Sequence, residues 1–176
     1  MKLSDEFSIQ YSGLGLGTHE FDWKITDKFF EDLDYSEIKK GEVEVHIVLE
    51  KRSTFMEFNF EIDGEIELTC DRCSVEYYYP ISSDERLIVK FESDGGEEES
   101  DEVLVLGKNE YVLDLTHSLY EYIAVQAPIR KVGCEVNGDE TICNQDVLNL
   151  LTELAPKDEE KPTDPRWDKL SGLDLN

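Results

Sequence analysis

From Val43 to Leu68 apolar residues return at every second position: Val43, Val45, Ile47 and Leu49, then Phe58, Phe60 and Ile62, then Ile66 and Leu68. Period two is the spacing of a strand with one face buried and one face wet, so this stretch is sheet rather than helix. Read piece by piece, it predicts antiparallel strands over 42–52, 54–62 and 66–69. Two more are predicted over 77–79 and 87–91, split by Pro80 and a Ser-Ser-Asp turn. Upstream, Phe7, Ile9 and Tyr11 alternate as a first strand, and the glycines of 13–17 turn the chain. Those glycines lack the G-x-G-x-x-G register of a phosphate loop. Phe21, Trp23 and Ile25 line one face of the next strand, and Thr26 is placed to cap a short helical turn.

The chemistry of the chain sits at one bend in this pattern. Cys70-Asp71-Arg72-Cys73 follows one predicted strand and precedes another, and two thiols at such a bend can point at one centre. The other two cysteines, Cys134 and Cys143, form a wider C-x8-C pair far downstream. Together Cys70, Cys73, Cys134 and Cys143 make the donor set of an all-thiolate tetrahedral site, and a structural zinc ion is the expected cofactor. Unliganded thiols in a reducing compartment, or a disulfide or redox pair, are the alternatives. His117 is a possible substitute for Cys143 in a mixed Cys/His site. A thioredoxin-like reading is disfavoured, because β-formers rather than a helix follow Cys73.

Beyond the sheet, residues 92–102 are acidic and aperiodic, which predicts a flexible loop. Residues 103–106 and 111–115 read as a strand pair or a strand running into a helix. Leu115, Leu119, Tyr122, Ile123 and Gln126 follow helical spacing up to Pro128, and Asp114 or Thr116 can cap that helix. An extended run then leads to Cys134, with an Asn137-Gly138 turn before Cys143 and an amphipathic helix over 145–154. The expected architecture is α+β: an antiparallel meander sheet or partial β-barrel with two or three C-terminal helices packed on it. It occupies 1–155, followed over 156–176 by a charged linker and a docking segment.

The formal net charge of −25 and the isoelectric point near 4.3 are extreme. Such a surface attracts basic partners. It disfavours unaided binding to nucleic acid, which rests on Lys and Arg neutralising phosphates. Arg72, Arg130 and Lys131 lie near the cysteines and could form one small basic patch for RNA or phosphate. No signal peptide or membrane-length apolar run is read, which leads to an expectation of a soluble cytoplasmic protein. No hydrolase, kinase or metalloprotease signature occurs, and no catalytic residue or small-molecule substrate is expected. A thiol enzyme using Cys70 with His117 as its base is the enzymatic alternative, and a zinc-binding protein-interaction module is the non-enzymatic one. His46 is read as solvent-facing and without a partner.

The order of features resembles the YceD family, named for accumulation of large-subunit (23S) ribosomal RNA. The matching pieces are CDRC at 70–73, the acidic insertion, the helix leading into Ala127-Pro128-Ile129-Arg130, the later cysteine and the terminal DPRWDKL block at 164–170. The resemblance covers about 60–173 and implies a non-enzymatic factor for synthesis, processing or stability of that RNA. The implied partner is a basic ribosomal protein or large-subunit assembly intermediate, with any RNA contact indirect or through the basic patch. In the tail, Asp164, Pro165, Arg166, Trp167, Leu170 and Leu173 form the expected docking motif, with its three apolar residues on one helical face.

Overall fold

A computed structural model describes residues 6–91, 103–107, 110–133 and 143–155. The strands are β1 (Ser8–Ile9), β2 (Gly17–Ile25), β3 (Gly41–Lys51), β4 (Phe55–Thr69), β5 (Glu76–Phe91), β6 (Val103–Leu106) and β7 (Leu113–Asp114). The helices are α1 (Asp27–Glu31), α2 (Thr116–Ala124) and α3 (Gln145–Leu154), with a 3-10 turn at Tyr11–Gly13. Strands β2-β3-β4-β5-β6 make one five-stranded sheet in sequence order, and β1 pairs with β7 in a second, two-stranded sheet. The α+β class holds. The sheet is open, with β2 and β6 at its edges, so the partial barrel does not form. It is also mixed, because β6 runs parallel to β5 with Val103 opposite Ile88. Of the two readings of 103–106 and 111–115, the strand running into a helix is the one found: β7 leads directly into α2, while β6 extends the large sheet and β7 the small one.

Two expected turns are strand interior. Asp63-Gly64 does not break β4, because Phe58, Phe60, Ile62, Gly64, Ile66 and Leu68 share one parity and a single strand keeps all of them inward. Pro80 and the Ser-Ser-Asp run do not break β5 either, since Tyr77, Ile81, Leu87 and Val89 also share a parity and are all buried. Proline is tolerated there because β6 covers only 88–91, leaving residue 80 on an open edge where an N–H is not needed. The result is a fifteen-pair antiparallel ladder running from Phe55 opposite Lys90 to Thr69 opposite Glu76. The expected first strand is shorter than its alternation implied, because Tyr11 enters the 3-10 turn.

The inner face of the sheet carries the core. Leu115, Leu119 and Ile123 of the α2 segment are fully buried against it, and Tyr122 lies 5.4 Å from Phe60. Phe7 packs edge-on against both Trp23 and Phe29, closing the β2 end. Asp114 does cap α2, accepting the Thr116 N–H at 2.9 Å. Thr26 makes no capping bond; Asp27 instead accepts the Gly41 N–H at 2.9 Å and ties α1 to the start of β3. Helix α3 is not packed as expected: Val147 and Leu148 are half-buried, whereas Leu150, Leu151 and Leu154 are exposed.

Gly64 allows the closest approach in the sheet. A methyl there would press on the Glu42 carbonyl oxygen and stand 2.7 Å from the Val43 Cα, both of them backbone that cannot swing away. Gly64→Ala is therefore expected to destabilise the protein by about 1–3 kcal/mol, the usual cost of overpacking. Urea unfolding measures this, and an unchanged midpoint would contradict the β3–β4 register.

Candidate metal centre

The CxxC segment is the loop at the tip of the long β4–β5 hairpin. The Cys70 N–H donates to the Val75 carbonyl at 2.9 Å and the Ser74 N–H to the Cys70 carbonyl at 2.8 Å, which folds the loop back on itself. Ser74 supplies the left-handed step with φ 60°, a conformation that costs a non-glycine residue roughly 1–2 kcal/mol. This loop turns both thiols inward, so that Cys70 is 2% exposed and Cys73 5%.

A second segment is fastened to the loop by a reciprocal pair of bonds. The Asp71 N–H donates to the Lys131 carbonyl at 2.7 Å, and the Lys131 N–H donates to Asp71 Oδ2 at 2.7 Å. Two residues on, Gly133 lies against the Tyr77 ring, where a methyl would stand 2.9 Å from ring carbons. Only glycine permits that approach, and it lets the Gly133 N–H reach the Cys70 sulfur. Cys143 comes from a third segment and is 3% exposed. It is held at the start of α3, where the Asn144 side chain accepts the Asp146 and Val147 N–H groups at 3.1 and 3.3 Å.

These three segments bring Cys70, Cys73 and Cys143 together, with their sulfurs all within 4.8 Å of one another. None of the three is disulfide-bonded. Burial pushes the Cys70 thiol up, but the N–H groups of Arg72, Gly133 and Cys73 and the Cys73 thiol all bond its sulfur and bring it down to about 7. Backbone donors aimed at one sulfur favour the thiolate, which is the form that binds metal. A tetrahedral thiolate site with metal–sulfur bonds near 2.3 Å spaces its sulfurs about 3.8 Å apart, so the cluster fits a thiophilic ion such as zinc with small side-chain adjustment. Cys134 follows Gly133 but lies outside the described residues.

The remaining predicted site residues are distributed as follows. Arg72 and Arg130 are exposed, and Lys131 is half-buried with Nζ 3.8 Å from Glu37. The Asp71–Lys131 clamp brings the loop of Arg72 against the 130–131 segment. His117 is exposed on α2, with Nε2 3.0 Å from Glu121 and Nδ1 3.3 Å from the Tyr35 hydroxyl. It stands outside the thiol cluster, where Cys143 itself takes the third place. His46 is not partnerless: its Nδ1 lies 2.7 Å from Asp22 Oδ1, and that bond raises its pKa. The tail residues Asp164, Pro165, Arg166, Trp167, Leu170 and Leu173 lie outside the described residues.

Three contributors were missed in the sequence. Asn144 had a local signal, an Asn directly before an amphipathic helix. Asp71 and Gly133 had none, because their roles depend on a contact across 60 residues of chain.

Fold and thiol cluster together define an acidic α+β protein built on a cysteine-tipped hairpin. A family model described as large ribosomal RNA subunit accumulation protein YceD matches residues 58–174, and the chain belongs to this family. The matched range takes in most of β4, the hairpin tip, α2, Cys143 and α3. The family links the chain to the large ribosomal subunit through accumulation of its RNA. Comparison with curated proteins and with solved structures gives no match. No helix among the described residues is long and apolar enough to cross a membrane.

The lowered Cys70 pKa has a testable sign. Between about pH 7 and the ordinary thiol value near 9, metal-free folded protein carries a thiolate where the unfolded chain carries a thiol. The unfolded state binds more protons in that window, so stability rises with pH across it and the gain is lost as pH falls through 7. Denaturant unfolding of chelator-treated protein at both ends of the window is expected to show this rise, and Cys70→Ser to flatten it. A wild-type slope equal to that of the variant would contradict the N–H cradle.

Proposed function

We propose that this chain is a non-enzymatic assembly factor for the large ribosomal subunit. It supports synthesis, processing or stability of 23S ribosomal RNA by holding a basic ribosomal protein or assembly intermediate. The observation that carries the reading is the outer face of the sheet. Across it run Asp22, His46, Glu61 and Asp84 in one row and Lys24, Glu44 and Asp63 in the next, with Glu42 opposite Glu65 beyond. Its cations are largely engaged at home, Lys24 with Glu42, Lys40 with Glu67 and Arg86 with Glu57. Family membership supplies the ribosomal context and the charge supplies the sign of the partner.

In this reading Cys70, Cys73, Cys143 and Cys134 hold a structural zinc ion that fixes the hairpin tip to the chain between α2 and α3. The proximity of Gly133 to Cys70 supports Cys134 as the fourth ligand. Zinc at such a site supplies folding energy and no reaction step. The DPRWDKL tail serves as a second contact for the partner, and ribosomal RNA is reached through that partner or through Arg72, Arg130 and Lys131. Three free thiols accord with a reducing, cytoplasmic setting.

Capture from lysate with tagged full-length protein at low salt tests the proposal. Large-subunit proteins or assembly intermediates are expected on the resin, falling away as salt shortens the Debye length from roughly 10 Å toward 3 Å. Recovery of neither would overturn it.

A further inference from the structure

Beside the thiol centre, a cleft of about 430 Å³ opens between α2, the segment before β3 and the hairpin tip. Its lining includes the apolar side chains of Ile38, Leu68, Tyr120, Ala124 and Ala127. Its rim carries the carboxylates of Glu37, Glu67, Asp71 and Glu76. The two lysines that also line it are drawn aside. Lys39 Nζ donates to the Ser36 carbonyl at 2.6 Å, and Lys131 Nζ lies 3.8 Å from Glu37. Glu67 is matched by Lys40 at 3.0 Å, and the charge of Glu76 also acts on Lys40.

The surroundings are those of a contact surface. Val125 and Ile129, on the segment that forms one wall, are 75% and 105% exposed. Tyr35, 54% exposed, packs edge-on to Tyr120 at 5.2 Å and to His117 at 5.9 Å. Apolar walls with a carboxylate rim suit a side chain whose stem is aliphatic and whose tip is cationic.

We propose that this cleft is the seat of an arginine- or lysine-bearing extended segment of the partner, which adds a defined contact at the thiol-centred hairpin tip to the diffuse attraction of the acidic sheet. The proposal rests on the reading of a basic partner and adds where that partner docks. Because Cys70 and Asp71 line the cleft, a partner seated there touches the loop that the thiol cluster holds in shape.

Anisotropy titration of full-length protein with a short fluorescein-labelled peptide rich in Arg and Lys tests it at physiological ionic strength. Glu37→Gln with Glu76→Gln removes two charges from the cleft lining, and Glu31→Gln with Glu153→Gln removes two exposed helix charges outside the cleft and off the sheet as an equal-charge control. The rim pair is expected to weaken binding at least about fivefold more than the control pair, because only the rim charges touch the seated segment. Ala127→Trp fills the cleft without changing charge and is expected to weaken binding as well. A smaller difference between the pairs, an Ala127→Trp protein that binds as wild type, or a wild type that does not bind overturns the cleft. Should large-subunit proteins still be captured from lysate in that event, the basic-partner reading stands and only its seat is wrong.

Discussion

The reciprocal clamp between Asp71 and Lys131, one bond backbone to backbone and one to the Asp71 carboxylate, is the contact on which the functional half of the molecule depends. The long hairpin of β4 and β5 can form from local alternation alone, but its tip would then be an exposed loop with two thiols. Two bonds of 2.7 Å draw the segment after α2 across that tip and place the Gly133 N–H on the Cys70 sulfur. Net hydrogen-bond contributions are near 1 kcal/mol each, so the clamp itself is modest. Its effect is positional: it converts a sheet and a C-terminal arm into neighbours sharing one buried centre.

Much of the sheet was legible because its information is local. Parity alone assigns Val43, Val45, Ile47 and Leu49 inward, and the structure buries all four. Where local punctuation opposed parity, parity won: Gly64 and Pro80 look like turns yet lie inside strands. Gly64 is inward-facing at the point where two backbones come close, and Pro80 occupies an edge. The parallel placement of β6 could not be read, because Val103–Leu106 carries no label for which neighbour it joins. At the candidate site the C-x2-C half was plain in the sequence, while the arrival of Cys143 depends on the clamp and on the Asn144 cap.

The outer sheet face carries a cost that the core must offset. Like charges directly opposite one another in an antiparallel pair are destabilising, and Glu44 faces Asp63 while Glu42 faces Glu65. Lys24 and His46 relieve part of this repulsion. A fully matched face would stabilise the free protein better, so the pattern accords with a surface whose complement is cationic and comes from elsewhere. The cleft at the hairpin tip combines carboxylates with the apolar side chains of Ile38, Leu68 and Tyr120 in its lining.

Convergence of thiols from three separated segments on one ion is the central claim, and X-ray absorption at the zinc edge tests it most directly. Protein purified without chelator is expected to carry close to one equivalent of zinc in a shell of four sulfurs at about 2.3 Å. A shell of nitrogen or oxygen, or less than about half an equivalent of metal, would contradict it.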